Sequence, residues 1–203
     1  MVSARDLKLL YRADKLNDNT GIYGVVGNPV MHSLSPQIHN PGFQRIHYNA
    51  VYVPFLADSI RSFLSLAEML RMRGFSVTVP FKVDVLKYLG NITREVKLIG
   101  SCNTVVRVPN MWKGTNTDYY GFIHPIEKEI DEGRIKSALI IGAGGAAKAI
   151  IWALKMRNIK VTIVNRTKSK ADELATLYGV ASDKLENISL YEGKVDLVVQ
   201  ATK

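Results

Sequence analysis

The stretch that decides the fold is Ala138-Leu139-Ile140-Ile141-Gly142-Ala143-Gly144-Gly145-Ala146-Ala147. Its first four residues are apolar and predict a buried strand, and a helix is expected from Ala146 to Met156, directly after the glycines. A G-x-G-x-x-G/A turn between a strand and a helix directs backbone N–H groups and the positive helix end at a pyrophosphate. The stretch therefore predicts a Rossmann-like unit that binds a dinucleotide, with a tight turn that holds no ligand as the alternative.

The next predicted strand, Lys160 to Val164, bears on which dinucleotide is bound. NAD-binding domains usually place Asp or Glu about 20 residues after the glycine turn, where the carboxylate binds the ribose hydroxyls. Here the strand is followed by Asn165-Arg166-Thr167, and Lys170 comes shortly after. Asn165 would not repel a 2′-phosphate, and the other three could bind one. The sequence favours NADP over NAD, with Arg166 as a merely solvated residue as the alternative.

A second α/β unit precedes the charged segment from Glu127 to Lys136. Short apolar strands are predicted at 22–26, 51–53, 75–79, 104–108 and 111–114. Helical patterns separate several of them, and such alternation favours a mainly parallel sheet. The sequence therefore predicts an α/β protein with three parts. These are a leader or linker (1–20), a substrate-binding and catalytic domain (21–125), and a partial Rossmann-like NADP-binding domain (126–203).

The composition is that of a soluble globular protein of 203 residues, 47% of them hydrophobic. The longest apolar run, Ala138 to Ile141, is far shorter than the roughly 20 residues of a membrane span. The N-terminus carries charges of both signs and lacks the apolar core of a secretory signal. A cytoplasmic location without membrane association is therefore expected. The single cysteine, Cys102, cannot form an internal disulfide, and its neighbours offer nothing that would activate it.

The net charge of +9 results from 27 basic and 18 acidic residues. The basic residues are scattered and form no run of five, so a solvated surface is expected rather than a nucleic-acid partner. Phosphorylated or carboxylate-bearing small molecules are the expected partners. No metal site is predicted, because the four histidines form no ligand set with a carboxylate or thiol at familiar spacing.

Four polar clusters lie at the ends of strands predicted in the first unit, where open α/β sheets bind ligands. They are 32–36 (His-Ser-Leu-Ser-Pro), 78–82 (Thr-Val-Pro-Phe-Lys), 101–104 (Ser-Cys-Asn-Thr) and 116–118 (Asn-Thr-Asp). Each alone could be a helix cap, a turn or a surface residue. In this order, and followed by the glycine turn and 165–167, they resemble the shikimate dehydrogenase family over about residues 21 to 203.

The resemblance implies an NADP-dependent, reversible reduction of 3-dehydroshikimate to shikimate, in the pathway that makes aromatic amino acids. Ser33 and Ser35 would hold the substrate carboxylate, and Thr78, Asn103 and Asp118 would contact the ring hydroxyls. Lys82 would be the catalytic residue, held in place by Asp118, and would stabilise and protonate the oxygen of the reduced carbonyl. The expected cofactor-binding residues are Gly142, Ala143, Gly144, Gly145, Ala146, Asn165, Arg166, Thr167, Lys170 and Thr202.

The sequence departs from the family pattern at several places, among them Pro41-Gly42 in the first helix and Gln200-Ala201-Thr202, where Asn-Ala-Thr is commoner. Ser101-Cys102 replaces the usual Ala-Val, Tyr119 replaces a glycine, and the sequence stops soon after the third strand of the nucleotide domain. We therefore expect a C-terminally truncated nucleotide domain. A quinate/shikimate dehydrogenase and a truncated, non-catalytic shikimate-binding module remain as alternatives. The leader resembles the linker to dehydroquinate dehydratase in bifunctional enzymes, so fusion to such a domain is an open alternative to an ordinary extension.

Overall fold

The computed structural model describes residues 3–202, so Met1 and Val2 of the predicted leader, and Lys203 of the predicted nucleotide domain, lie outside the described residues. The chain divides into two compact units. The first comprises the described residues up to Thr93 together with Cys102–Thr115, and the second comprises Arg94–Ser101 and the described residues from Asn116 onward. None of the helices in 3–202 is both long enough and apolar enough to cross a membrane.

The first unit is built on a mixed sheet. Its strands are β1 (Gly21–Gly27), β2 (Ala50–Leu56), β3 (Gly74–Val77), β4 (Asn91–Ile92), β5 (Thr104–Val108) and β6 (Met111–Thr115). They lie in the order β2-β1-β3-β5-β6-β4. β1 is parallel to both of its neighbours, and β4 is parallel to β6. β5 is antiparallel to both β3 and β6. The pairing with β6 follows from the connection Pro109-Asn110, because so short a connection can join only antiparallel strands.

Among its described residues, this unit contains the helices α1 (Ala4–Leu9), α2 (Ser35–Arg45) and α3 (Ile60–Met69). Short 3₁₀ turns occur at Ala13–Lys15 and Asp84–Tyr88. α3 begins at Ile60, where the Ser59 side chain caps it by accepting a bond from the Ser62 N–H. α2 begins at Ser35, and Leu34 is the residue at its N-cap position.

The second unit contains a fully parallel sheet of β7 (Ser137–Ile141), β8 (Lys160–Asn165), β9 (Ala181–Lys184) and β10 (Leu197–Gln200). The strand order is β10-β7-β8-β9. Its helices are α4 (Arg94–Ile99), α5 (Asp118–Ile123), α6 (Glu127–Asp131), α7 (Gly145–Met156) and α8 (Lys168–Tyr178), with 3₁₀ turns at His124–Ile126 and Leu185–Tyr191. The predicted strand, glycine turn, helix and strand are all present.

The core of the second unit lies between this sheet and its helices. Ile140 and Ile163, from the two central strands, are completely buried, and so are Ile151 and Leu154 of α7. Burying one such side chain contributes about 1.5–3 kcal/mol. The packing fixes α7 on the sheet, with its first turn directly after the carboxyl end of β7.

Arg94–Ser101 belongs to the second unit, although in the sequence it lies between the two segments that form the first unit. The Tyr178 hydroxyl donates to the Ile99 carbonyl (2.6 Å), and the Ser101 hydroxyl donates to the Gly145 carbonyl (3.1 Å). These bonds attach the end of α4 to α8 and to the start of α7. The bounds of the compact units therefore differ from the domain boundary that the sequence predicts at residue 126. The division of the chain into functional domains stays a prediction.

Candidate substrate site and nucleotide site

Backbone hydrogen bonds join the carboxyl ends of β1 and β3 in the first unit. The Thr78 N–H donates to the Val26 carbonyl, and the Asn28 N–H donates to the Val79 carbonyl, both at 2.9 Å. Strand pairing thus continues one step beyond β3. Thr78 is half-buried at this edge of the sheet, in the position that the alternation of polar and apolar residues along β3 predicts.

Two further backbone bonds bring Lys82 and Asn103 to the same edge. The Val77 N–H donates to the Asn103 carbonyl, and the Cys102 N–H donates to the Lys82 carbonyl, both at 2.8 Å. The Asn103 side-chain oxygen accepts a bond from the Thr104 hydroxyl at 2.9 Å. The structure therefore brings together three residues that the sequence selects from two separate clusters.

The serine pair lies at the start of α2. The Ser33 N–H donates to the Val30 carbonyl (2.9 Å), and the Ser35 N–H donates to the Ser33 hydroxyl oxygen (3.2 Å). The two hydroxyl oxygens are 3.0 Å apart and hydrogen-bonded, and both residues are half-buried. Two adjacent hydroxyl donors at the positive end of a helix suit the two oxygens of a carboxylate.

A tyrosine that the sequence does not single out belongs to the same region. Tyr52 on β2 is only 4% exposed, and its hydroxyl donates to the Ser76 hydroxyl oxygen at 2.8 Å. Burial raises the pKa of the Tyr52 phenol, and hydrogen bonding by the Ser76 and Ser35 hydroxyls opposes that rise. Tyr52 lies between two valines in an apolar strand, so the sequence identifies it only as a core residue.

The glycine turn of the second unit has the backbone that a dinucleotide site needs. Gly142 has φ of +119°, a conformation that other residues rarely adopt. A Cβ there would lie 2.8 Å from the Thr202 methyl carbon and 3.0 Å from the Ala201 carbonyl group. At Gly144 a Cβ would meet no atom within 4 Å, so the space in front of the turn is open.

Helix α7 begins at Gly145, immediately after this open space. The first N–H groups of a helix have no acceptor within the helix, and the helix dipole makes this end positive. These features fit a pyrophosphate. The predicted residues Gly142, Ala143, Gly144, Gly145 and Ala146 are therefore together at one turn.

A cavity of about 390 Å³ lies at the carboxyl ends of β7, β8 and β10. It is lined by Ile141, Asn165, Arg166, Leu185, Gln200 and Thr202. One cation and no carboxylate line it, which fits an anionic group such as a 2′-phosphate. Thr167 and Lys170 are exposed at the start of α8 and are not among these lining residues, whereas Asn165, Arg166 and Thr202 are.

Asp118 is the first residue of α5 in the second unit, and a buried asparagine orients its backbone. Asn116, 2% exposed, donates from its side chain to the Ser101 carbonyl and accepts from the Asp118 N–H, both at 2.9 Å. The roles predicted for Asp118, as a contact of the ring hydroxyls and as the partner of Lys82, stay predictions.

The unusual residues Ser101, Cys102 and Tyr119 each have packing or hydrogen-bond partners. The Ser101 hydroxyl bonds to the start of α7, as described above. The buried Cys102 thiol has two carbonyl acceptors within hydrogen-bond distance of its single proton, those of Thr104 (3.3 Å) and Thr115 (3.2 Å). The Tyr119 ring meets Trp152 edge to face with ring centres 5.0 Å apart. Within residues 3–202, no group of three or more His, Cys, Asp or Glu side chains could hold a metal ion.

Comparison with known proteins decides the family. Residues 25–105 match the model of the shikimate dehydrogenase substrate binding domain, and residues 126–203 match that of shikimate / quinate 5-dehydrogenase. The chain belongs to the shikimate dehydrogenase family. A relative from Caldanaerobacter subterraneus subsp. tengcongensis, named shikimate dehydrogenase (NADP(+)), is 41% identical over 164 residues, which is 79% of this chain. The chain spans 59% of that relative's length.

Two further members of the family extend the comparison. The crystal structure of shikimate dehydrogenase from Aquifex aeolicus is 36% identical, with a TM-score of 0.86, and the match covers 93% of this chain and 71% of that one. The likeness confirms the predicted α/β class with a Rossmann-like part. A chloroplastic bifunctional 3-dehydroquinate dehydratase/shikimate dehydrogenase from Arabidopsis thaliana is 35% identical over 213 residues, covering 98% of this chain and 35% of the plant protein.

Proposed function

We propose that this chain binds shikimate and NADP(H) and catalyses the reversible, NADP-dependent reduction of 3-dehydroshikimate to shikimate. The observation that carries the proposal is the meeting of Thr78, Lys82 and Asn103 at one edge of a sheet, through backbone bonds that join separate segments. Family membership, and the name of the relative described above, support the substrate and the cofactor.

In this proposal the serine pair orients the substrate. The Ser33 and Ser35 hydroxyls donate to its carboxylate, and the side chains of Thr78 and Asn103 contact the ring hydroxyls, as does Asp118. A carboxylate and several ring hydroxyls fixed at once leave the ring one orientation, which presents one face and one carbonyl to reaction.

Lys82 performs the proton chemistry. NADPH supplies the hydride that the carbonyl carbon receives. As negative charge grows on the carbonyl oxygen, the Lys82 ammonium stabilises it and then donates the proton that completes the hydroxyl. In the reverse direction the Lys82 amine takes the proton back. Asp118 is the proposed acidic partner that holds the ammonium in place.

The second unit holds the nucleotide. Backbone N–H groups of Gly142 to Ala146 bind the pyrophosphate, and Arg166 binds the 2′-phosphate together with Thr167 and Lys170. Asn165 and Thr202 complete the cavity around the nucleoside. The cationic lining without a carboxylate supports NADP rather than NAD.

The test is to titrate the 203-residue chain with shikimate and with NADPH, and then to measure NADPH oxidation with 3-dehydroshikimate. We expect binding of both ligands and turnover. Shikimate binding without NADPH oxidation would instead establish the non-catalytic shikimate-binding module. Preferred turnover of quinate with NAD would favour a quinate/shikimate dehydrogenase.

We also propose a cytoplasmic location for this chain. We further propose that the leader, residues 1–20, is the linker to a dehydroquinate dehydratase domain in the same polypeptide. The match to the bifunctional plant relative covers 98% of this chain and therefore includes most of the leader. The intact mass of the native gene product tests this proposal. A product too small to include a dehydratase domain would contradict it.

A further inference from the structure

We propose that Tyr52 is a positioning residue of the substrate site, whose phenol fixes the Ser76 hydroxyl on the polar face of β3. The inference rests on the function proposed above. Tyr52 donates to the Ser76 hydroxyl oxygen at 2.8 Å. Ser76 precedes Thr78 by two residues, and residues two apart on a strand lie on the same face. Tyr52 therefore acts on the face that carries a proposed substrate contact.

The phenol is a rigid support because Tyr52 is itself held from several sides. The Asn40 side chain donates to the Tyr52 carbonyl (2.9 Å) and accepts from its N–H (2.8 Å). The His39 ring stacks on the phenol ring with centres 4.3 Å apart and planes 19° apart. The backbone and the ring of a residue that is 4% exposed are thus both fixed, and the hydroxyl has one position to offer.

The direction of this bond determines what Ser76 can do next. A serine hydroxyl has one proton to donate and two lone pairs to accept with. Because Tyr52 supplies a proton to the Ser76 oxygen, the Ser76 proton remains available for another acceptor. A hydroxyl held in this way donates to a ligand oxygen without first having to be ordered, which lowers the cost of binding.

The Tyr52 phenol also interacts with the serine pair at the start of α2. The Ser33 hydroxyl donates to the Ser35 hydroxyl at 3.0 Å, and Ser35 in turn lowers the pKa of the Tyr52 phenol through hydrogen bonding. A phenol is neutral at physiological pH, and burial raises the pKa of Tyr52 further above its ordinary value. A neutral phenol that donates to Ser76 keeps its lone pairs for a hydroxyl donor such as Ser35.

The test is Tyr52→Phe, which keeps the ring, its stacking on His39 and its packing, and removes only the hydroxyl oxygen. Loss of one hydrogen bond of this kind changes affinity by roughly three- to tenfold. We expect the Kd of shikimate to rise by about that factor, while the Kd of NADPH and kcat stay within about twofold. The matched control is Tyr23→Phe. Tyr23 is paired with Tyr52 in the register of β1 and β2, but its hydroxyl bonds to Tyr48 (3.0 Å), and we expect shikimate affinity to be unchanged.

A double-mutant cycle with Ser76→Ala separates positioning from general support of the fold. If Tyr52 acts through Ser76, the double variant binds shikimate no more weakly than Ser76→Ala alone. Strictly additive losses, an unchanged Kd in Tyr52→Phe, or a parallel loss of shikimate affinity, NADPH affinity and melting temperature would each overturn the inference. Failure of the unmodified chain to bind shikimate would instead overturn the proposed function, so the two failures are distinguishable.

Discussion

The two proposed ligand sites are built in opposite ways. The nucleotide site consists mainly of backbone atoms in five consecutive residues, Gly142 to Ala146, at one strand-to-helix turn. The substrate site consists of side chains from four separate segments, and backbone bonds between strand ends join two of them, those that carry Thr78, Lys82 and Asn103. In a site made of backbone atoms, a substitution should weaken ligand binding only if it changes the backbone conformation. In a site made of side chains, each substitution should remove one interaction with the ligand. Substitutions in each site can test this difference.

The largest effect is expected in the substrate site, from Lys82→Ala. Removing a group that donates a proton in the transition state lowers a rate by about 10²- to 10⁴-fold. We expect kcat to fall by that factor while the Kd of shikimate changes by less than about threefold, because the other contacts remain. Steady-state kinetics and equilibrium titration measure the two quantities.

The matched control for this prediction is Lys87→Ala. Lys87 lies on the next turn, is exposed, and pairs with Asp84 at 2.9 Å. We expect no change in kcat from it. A normal rate in Lys82→Ala would remove this lysine from the mechanism.

The next largest effect is expected from Gly142→Ala, which changes the backbone of the nucleotide site. The added Cβ would lie 3.0 Å from the Ala201 carbonyl group at a φ of +119°, so both sterics and conformation oppose it. Strain of this kind costs about 1–3 kcal/mol. We expect NADPH to bind at least about tenfold more weakly. Shikimate affinity should be unchanged.

Gly121→Ala provides the comparison for that substitution. Gly121 lies within α5, where a Cβ would meet no atom within 4 Å, so the change should be neutral or slightly stabilising. Equal NADPH affinity in the Gly142 and Gly121 variants would show that the turn does not bind the nucleotide through its backbone.

An effect of similar size is expected from Arg166→Gln, which alters the cation among the residues that line the nucleotide cavity. A hydrogen bond to a charged group contributes about 1.5–3 kcal/mol. We expect NADPH affinity to fall by roughly tenfold or more while NADH affinity changes little, so the ratio of NADPH affinity to NADH affinity should decrease. Lys194→Gln, an exposed cation of the same unit, should leave both affinities unchanged. A preserved preference in Arg166→Gln would assign recognition of the 2′-phosphate to other residues.

The same difference between the sites explains how much the sequence could predict. The glycine turn and its flanking strand and helix are contiguous, so local pattern was sufficient for that part of the fold. Lys82 and Asn103 come from separate clusters, and the family resemblance rather than their spacing associated them. The sequence does not identify Tyr52, because the role proposed for it depends on the hydroxyl of Ser76, a residue on another strand of the sheet. Assignment of Arg94–Ser101 to the second unit likewise depends on tertiary bonds, such as that from Tyr178 to Ile99.

The smallest effect concerns how the second unit keeps its sheet together, away from either ligand site. The Asp196 carboxylate accepts from the N–H groups of Lys136 and Ser137, both at 2.9 Å, and from the Ser137 hydroxyl at 2.8 Å. These bonds join the chain before β10 to the start of β7, and they lower the pKa of Asp196 below its usual value of 3.8. A group whose pKa is lowered by folding stabilises the folded state above its unfolded pKa, and that contribution is lost as the pH falls further.

We therefore expect Asp196→Asn to be less stable than the unmodified chain at pH 7, and the difference to shrink as the pH falls below about 4. Urea unfolding at several pH values measures it. Ser137→Ala removes one of the three donors and should give an intermediate loss. Shikimate affinity should not change in either variant, because Asp196 and Ser137 are not among the proposed substrate contacts. A difference that stays constant from pH 7 to pH 3 would show that the carboxylate charge does not stabilise this junction.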